Sequence, residues 1–296
     1  MATDSMTDVF EEHRPVLMGV AYRMLGRVVD AEDVVQEAWL RWSASDHDQV
    51  REPRAFLVRV TTRLAIDRLR HLQSRREAYV GPWLPEPCVT EFGPTVPDTA
   101  ERAVLAESVS LAVLVVLESL SPLERAVFVL REAFGFPYAE IAATLDRGEA
   151  SVRQLAGRAR KHVDAGRPRY KVDPAERRDL TERFLAAATE GDLDGLLSLL
   201  APDVRLVGDS GGKTKAPLRV LETADKVGRF LHHTAARVLR DAAELEFRFI
   251  EVNGAESLFV LIDGKPDSVF QFAVADGRIQ DVYIVRNPDK LTALAP

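Results

Sequence analysis

The hydrophobic period changes once along this chain, and the change limits what the chain can fold into. Up to about residue 201 the apolar residues recur three and four positions apart, as they do on amphipathic helices. Strand-like runs follow at 244–252, 256–262, 268–275 and 278–285. Asn253-Gly254 and Asp276-Gly277 favour tight hairpins because both central residues of such a turn need a positive φ, and Asp263-Gly264 is expected to open a longer turn. We therefore predict helical domains followed by an α+β domain with an antiparallel meander.

Prolines separate the two helical parts. Five of them between residues 78 and 98 remove backbone donors and disfavour helix at the preceding residue, which predicts an extended, semi-rigid linker. A second break precedes the α+β part. The predicted division is a helical domain at 1–77, the linker at 78–103, a second helical domain at 104–166, a short linker at 167–174 and the α+β domain at 175–296.

Two basic islands stand out in a chain whose net charge is −7. Residues 51–76 carry eight Arg and two acidic residues, and residues 147–169 carry seven Lys or Arg and two acidic residues. In the first island Arg59, Arg63 and Arg70 share one face of a predicted helix. A row of guanidinium groups can hold the phosphates of a melted strand, although many basic helix faces are only solvated. The islands favour a nucleic-acid partner.

A helix-turn-helix is predicted between residues 137 and 163, with its turn at Asp146-Arg147-Gly148. The apolar positions expected to face inward on the second helix are Val152, Leu155, Ala156, Ala159 and Val163. The outward positions are Ser151, Arg153, Gln154, Arg158, Arg160 and Lys161. They suit a DNA major groove, where Arg pairs with guanine and Gln with adenine while other cations reach phosphates. The alternative is a helical hairpin with a solvated basic face.

Three stretches resemble regions two and four of an extracytoplasmic-function (ECF) sigma factor of bacterial RNA polymerase. They are DAEDVVQEAWLRW at 30–42, AFLVRVTTRLAIDRLR at 55–70 and LSPLERAVFVLREAFGFPYAEIA at 120–142. The resemblance implies that Asp33, Gln36 and Glu37 dock on the polymerase β′ coiled coil, and that region four meets the β flap. It further implies that the helix of Arg59, Thr62, Arg63 and Arg70 captures the minus-ten promoter strand. The helix that starts near Ala150 would read the minus-thirty-five element.

The α+β part resembles a SnoaL-like domain of the NTF2-like fold, in which helices and a curved sheet enclose a conical cavity with room for a small ligand. GPWLPEP at 81–87, DSGGK at 209–213 and RNPDKL at 286–291 fit sigma factors that carry such a domain, although Ser210 stands where a glycine is usual. The resemblance implies that the linker meets this tail and that the tail replaces a separate anti-sigma factor. The implied regulatory residues are Trp83, Leu84, Pro85, Glu86, Pro87, Asp209, Gly211, Gly212, Lys213, Asn287, Pro288, Asp289, Lys290 and Leu291.

Other functions remain open at this point. A polymerase-independent DNA-binding regulator would need only the helix-turn-helix. An isomerase-like enzyme would need a buried base in the tail, for which Asp203, Asp209, His232 and His233 are the candidates. No catalytic motif places any of them, so we predict no catalytic residue, no metal site and no cofactor.

The sequence also predicts a cytoplasmic protein. Its acidic start lacks the features of a secretory signal, and Cys88 has no second cysteine to pair with. The longest apolar run, at 111–117, is far shorter than the ~20 residues of a membrane span.

Overall fold

The computed structural model describes residues 2–46, 50–76, 78–89, 110–166 and 173–294 of the chain. Its contacts form two compact units. The first unit comprises residues 1–78 and 113–166, and the second comprises 79–112 and 167–296. The linker is thus grouped with the tail, and the two helical regions are grouped with each other. Within the described ranges, no helix has the length and apolarity that a bilayer span requires.

The first unit is helical. It begins with α1 (Ala2–Leu25), α2 (Val28–Ser43) and α3 (Pro53–Arg76). After α4 (Leu111–Leu117), which starts in the second unit, come α5 (Pro122–Phe128), a π-helical turn (Val129–Ala133), α6 (Tyr138–Leu145) and α7 (Glu149–Gly166). The part of the predicted second helical domain at 104–109 lies outside the described residues.

The helices α6 and α7 form the predicted helix-turn-helix. Asp146 ends α6 in the left-handed region, with φ of 55°. An Asp is tolerated there because its short polar side chain can bond to the local backbone. The second helix starts at Glu149, one residue before the expected Ala150. All five positions predicted to face inward on α7 are buried, which confirms the phase of this helix.

The second unit contains α8 (Pro174–Glu190), α9 (Leu193–Leu199) and α10 (Ala224–Asp241), packed on a sheet of six strands. The strands are β1 (Leu200–Asp209), β2 (Leu221–Glu222), β3 (Leu245–Val252), β4 (Ala255–Ile262), β5 (Lys265–Ala275) and β6 (Arg278–Val285). Their order is β2-β1-β6-β5-β4-β3. The pattern in the sequence predicted the last four strands and missed β1 and β2.

The meander of β3 to β6 is antiparallel, whereas β1 pairs with β6 in parallel. Register shifts interrupt the pairing within β4–β5 and β5–β6, and such irregularities bend a sheet. The longer turn expected at Asp263-Gly264 is wrong. Both residues have a positive φ, 52° and 72°, and they connect β4 directly to β5, as in the other two hairpins.

Candidate nucleic-acid surfaces and linker site

The exposed face of α3 carries Arg59, Arg63 and Arg70, as predicted. The Arg59 guanidinium lies 5.6 Å from the centre of the Phe56 ring, and Arg70 pairs with Asp67 at 3.0 Å. Thr62 behaves differently because it is completely buried and its hydroxyl has no hydrogen-bond partner in the structure. One residue turns an α-helix by about 100°, which takes Thr62 off the face of Arg63 and into the interior. Thr62 is thus covered in this conformation, and its contact with DNA stays a prediction.

The basic face of α3 meets the helix-turn-helix inside the first unit. Arg63 Nε donates a hydrogen bond of 2.9 Å to the Thr144 carbonyl oxygen at the end of α6. The Arg54 guanidinium lies 4.8 Å from the centre of the Phe136 ring. In this conformation Arg63, which is predicted to hold promoter DNA, therefore contacts region four.

A buried cation joins the same two regions. Arg125 Nε donates to the Arg23 carbonyl oxygen at 2.9 Å, and its Nη1 pairs with Glu118 at 2.8 Å. Burial lowers the pKa of Arg125 to about 9 because removal from water disfavours the charged form. Close by, the backbone of α1 comes so near region four that a Cβ at Gly19 would lie 2.9 Å from the Phe134 ring.

The outward face of α7 is exposed at five of its six predicted positions, and Ser151 is half-buried. Its arginines are held by carboxylates. Arg158 Nε donates to Glu124 at 2.9 Å, Arg160 Nη2 donates to Glu132 at 2.7 Å, and Arg153 pairs with Glu149. The hydrogen bonds that Arg160 donates to Glu132 raise the pKa of Arg160. Binding of phosphate or base edges there must exchange these partners.

The acidic face of α2 is exposed at Asp33, Gln36 and Glu37. Asp33 pairs with Arg68 at 3.0 Å, and Glu37 pairs with Arg41 at 2.7 Å. Leu40, on the same helix, is 59% exposed. The acidic face therefore includes an exposed apolar side chain.

The predicted linker and tail residues converge on one carboxylate. Asp209, at the end of β1, is completely buried. Its Oδ2 accepts a hydrogen bond of 2.8 Å from the Leu84 backbone N–H and one of 2.7 Å from Lys290 Nζ. Its Oδ1 accepts a bond of 2.6 Å from the Tyr79 hydroxyl. We call this set of Tyr79, Trp83, Leu84, Asp209 and Lys290 the linker–tail clasp.

Lys290 is the second centre of the clasp. Its buried ammonium lies 4.0 Å from the centre of the Trp83 ring, a cation–π geometry, and it also donates to the Leu84 carbonyl oxygen. Asn287 adds a bond of 2.8 Å from Nδ2 to the Tyr79 hydroxyl. A buried lysine with this many acceptors is satisfied without water.

Two glycines let the backbone approach this closely. Gly211 has a φ of 57°, and a Cβ on it would lie 2.6 Å from Asn287 Nδ2. Gly212 has a φ of 72°, and its Cβ would lie 3.1 Å from the Val80 side chain. The Gly-Gly pair is thus required both by its dihedral angles and by the lack of space.

The other predicted regulatory residues surround the clasp. Pro85, Glu86, Pro87 and Leu291 are buried, whereas Lys213 and Asp289 form an exposed ion pair, and Pro288 begins the 3₁₀-helix Pro288–Lys290. Sequence reasoning missed Tyr79, and it also missed Asn253, whose N–H donates to the Cys88 carbonyl oxygen at 2.8 Å. The only signal for Tyr79 was its position two residues before GPWLPEP.

None of the four catalytic candidates lines the cavity of the tail. Asp209 belongs to the clasp, Asp203 and His233 are exposed, and His232 is half-buried. Across the ranges that the structure describes, no three His, Cys, Asp or Glu side chains come together as a metal site. The cavity itself is lined by α8, α10 and the inner face of the sheet, mostly with apolar side chains.

Comparison with known proteins accounts for both units. The family model for Sigma-70 region 2 matches residues 9–76, and that for Sigma-70 region 4 matches 110–163. The ECF RNA polymerase sigma factor SigJ of Mycobacterium tuberculosis H37Rv is 42% identical over 290 residues, which are 96% of this chain and 92% of the relative. This chain is an ECF sigma factor.

Other relatives of this sigma factor extend over nearly its whole length. A probable ECF sigma factor of the same species, SigI, is 32% identical over 297 residues, 98% of this chain and 96% of the relative. The crystal structure of SigJ matches with a TM-score of 0.76 at 39% identity, covering 97% of this chain and 98% of that one. The sigma factor therefore combines helical regions two and four with a C-terminal domain of helices packed on a sheet. Membership in this family makes it an alternative sigma factor, which acts with core RNA polymerase at promoters.

Proposed function

We propose that three exposed faces divide the work of transcription initiation. The acidic face of α2, with Leu40 beside it, docks on the polymerase β′ coiled coil, and region four meets the β flap. The basic face of α3 captures the minus-ten strand and that of α7 reads the minus-thirty-five element. The observation that carries this assignment is the exposure of these charged side chains on helices whose apolar faces are buried.

The first unit must open for both promoter elements to be bound at once. Elements about 25 base pairs apart are separated by roughly 85 Å of B-DNA at 3.4 Å per base pair. Helix α3, with its 24 residues, is only about 36 Å long. Because Arg63 touches the end of α6, its face and that of α7 lie too close together in this conformation. The structure is thus the free, closed form of the sigma factor in this proposal.

We propose that the tail sets the arrangement of the two promoter-binding regions by holding the linker. The linker joins region two to region four, so its fixed end at the clasp restricts the separation that the two regions can reach. A clasp centred on a buried Asp–Lys pair suits this task because its loss leaves an uncompensated charge, at a cost of about 3–5 kcal/mol. The Asp209–Lys290 pair is therefore either formed or broken, and partly formed states are rare.

Run-off transcription with purified core polymerase tests both parts. The full chain, a chain that ends before Arg286 and a chain that ends near Gly166 are compared on the same promoter. We expect all of them to depend on core polymerase and their transcript yields to differ, because the two shortened chains lack Lys290 and cannot close the clasp. Equal yields from the three would contradict the regulatory proposal, and initiation by none would contradict the assignment of the three faces.

Asp209→Asn provides a sharper version of the same test in the full chain. It removes the charge that holds Lys290 without deleting the tail, and we expect its transcript yield to shift toward that of the chain that ends before Arg286. Asp203→Asn is the matched control because Asp203 is exposed on the same strand.

A further inference from the structure

The tail encloses an apolar cavity that the clasp does not use. Its volume is about 100 Å³, several times the ~10–15 Å³ that a single water molecule needs. Aromatic and aliphatic side chains from three elements form the walls, among them Phe184 of α8, Val238 of α10 and Phe247, Leu258 and Phe270 of the sheet. Leu239 lines the same cavity and is 42% exposed. An open apolar surface of this kind favours an apolar occupant.

One end of the cavity is polar and carries a net positive charge. Arg286 pairs with Asp267 and donates a bond of 2.6 Å from Nη1 to the Lys215 carbonyl oxygen. Asp267 balances the charge of Arg286, so Lys215 is the surplus cation among the residues that line the cavity. The buried Nε of Arg286 has no hydrogen-bond partner in the structure. A buried N–H without an acceptor is costly, so a small turn of this side chain that brings Nε to a ligand oxygen would be favourable.

The wall of the cavity is continuous with the clasp. Gly208 lines the cavity, and the next residue is Asp209. The Arg286 backbone N–H donates to the Asp209 carbonyl oxygen at 2.7 Å, while the Arg286 side chain lines the cavity. The Thr214 hydroxyl donates to the Arg286 carbonyl oxygen at 3.1 Å. A ligand that orders Arg286 therefore orders the strand end that presents Asp209 to the linker.

We propose that this cavity binds a small apolar molecule that ends in a single carboxylate or similar anion, and that its binding stabilises the closed clasp. The apolar part occupies the space between α8, α10 and the sheet, and the anion accepts the Nε–H of Arg286 near Lys215. The regulatory consequence rests on the proposed function of the tail, but the binding itself does not. Ligand present in the cell would then favour the clasped state of the sigma factor.

The binding half is tested on the full chain with a neutral fluorescent probe, N-phenyl-1-naphthylamine, displaced by either decanoate or 1-decanol. These competitors have the same chain length and differ in the head group. We expect decanoate to displace the probe at a concentration at least about tenfold lower than 1-decanol does, although the alcohol is the more hydrophobic. An equal or reversed order, or no displacement by decanoate, would overturn the proposal.

Variants locate the site. Arg286→Gln is expected to raise the decanoate concentration needed for displacement about tenfold, equivalent to 1.4 kcal/mol. The 1-decanol concentration needed should change less than twofold. Arg286→Lys, which keeps the charge, serves if the glutamine variant does not fold. Arg278→Gln, an arginine at the other end of β6 that does not line the cavity, should change neither. Ala235→Trp places a large ring in the cavity and should abolish probe binding. Unchanged competition in both Arg286 variants, or full probe binding in Ala235→Trp, contradicts the assignment.

Hydrogen exchange tests the coupling half. Saturating decanoate should slow exchange of the peptide that contains the Leu84 N–H at least about threefold, because a ligand that binds only the closed state adds to its stability. Unchanged exchange at saturation would overturn the coupling. Neither probe displacement nor hydrogen exchange involves polymerase. Failure of this inference is therefore distinct from failure of the proposed function, which is tested by transcription with the shortened chains in the absence of ligand.

Discussion

At the scale of single residues, the clasp concentrates its energy on few atoms. Asp209 accepts three hydrogen bonds from outside its own turn, and two of the donors, Tyr79 and Leu84, lie about 125 to 130 positions earlier in the chain. Asp209 and Lys290 are both buried. The donors that bond to Asp209 would therefore have no water to replace it as an acceptor if it were lost.

Asp209→Asn should therefore destabilise the protein by about 3–5 kcal/mol, since the amide nitrogen opposes Lys290 and leaves its charge buried without a counter-ion. Urea denaturation of the full chain, followed in the second unit, measures the loss. Asp203→Asn, exposed on the same strand, should stay within about 0.5 kcal/mol. If Asp209→Asn lost no more stability than Asp203→Asn, the Asp209–Lys290 pair would contribute nothing.

Gly211→Ala separates dihedral strain from collision when it is compared with Gly264→Ala. Both glycines have a positive φ, 57° and 72°, but a Cβ on Gly264 meets nothing within 4 Å, whereas on Gly211 it meets Asn287 and Tyr79. We expect Gly264→Ala to cost about 1–2 kcal/mol from strain alone, and Gly211→Ala to cost clearly more and to speed hydrogen exchange of the Leu84 N–H. Equal losses in the two variants would mean that the clasp can move away from the new methyl group.

At the scale of elements, the contact between α1 and region four depends on the absence of a side chain. Gly19→Leu introduces a good helix former, so α1 itself should not be weakened. The new side chain needs space that the Phe134 ring and the Arg23 guanidinium occupy. We expect the first unit to open, with a larger radius of gyration in X-ray scattering and unchanged helix content in circular dichroism. Glu12→Leu, at an exposed position of the same helix, should change neither quantity.

The capping box that starts α5 gives a defined pH dependence. Hydrogen bonds from Ser121, followed by the bond from Arg158, lower the pKa of Glu124 from its usual 4.5. A lowered carboxyl pKa means that the unfolded state binds the proton more tightly, so the stabilisation is complete above about pH 5 and is lost as the pH falls through the folded-state pKa. The difference in unfolding free energy between the protein and Glu124→Gln should shrink over that range. Ser121→Ala should move the loss to higher pH, and a pH-independent difference would contradict the assignment.

At the scale of the whole molecule, promoter binding should depend on salt through the basic islands and not through the net charge. Lys161→Gln on α7 is expected to reduce the slope of log binding constant against log salt concentration by about 0.9, the value for one phosphate contact. Lys226→Gln, exposed on α10 of the tail, is the control and should leave the slope unchanged. The measurement is equilibrium promoter binding by the reconstituted holoenzyme at several salt concentrations.

The sequence predicts the features of this fold that depend on residues close together in the chain. It does not predict those that depend on residues far apart in the chain. The buried face of α7 follows from the spacing of five apolar residues, and the hairpin at Asn253-Gly254 follows from two neighbours that tolerate a positive φ. By contrast, β1 lies in parallel beside β6 and contains a register shift, so its pattern is irregular. Tyr79 donates a hydrogen bond to Asp209, which lies 130 positions later in the chain. A local hydrophobic period carries no information about such a distant bond.

The candidate sites divide in the same way. Motif resemblance alone brought Leu84, Asp209 and Lys290 to one place, and the structure places them together. Thr62 is buried and Leu40 is exposed because of the neighbours that pack against α3 and α2. A helical period fixes the edge of a buried face only to within about one residue, so it does not decide positions at that edge. The contact of Arg63 with Thr144 joins residues 81 positions apart and was not predictable from either segment.

The order in which the chain is synthesised gives the position of Lys290 a consequence of its own. This lysine is made 206 residues after Leu84 and 81 residues after Asp209. While a ribosome is still adding the last strand, regions two and four are already complete and the restraint between linker and tail does not yet exist. Every newly synthesised copy thus passes through a stage without this restraint, and the regulation that we propose can begin only after Lys290 has been synthesised.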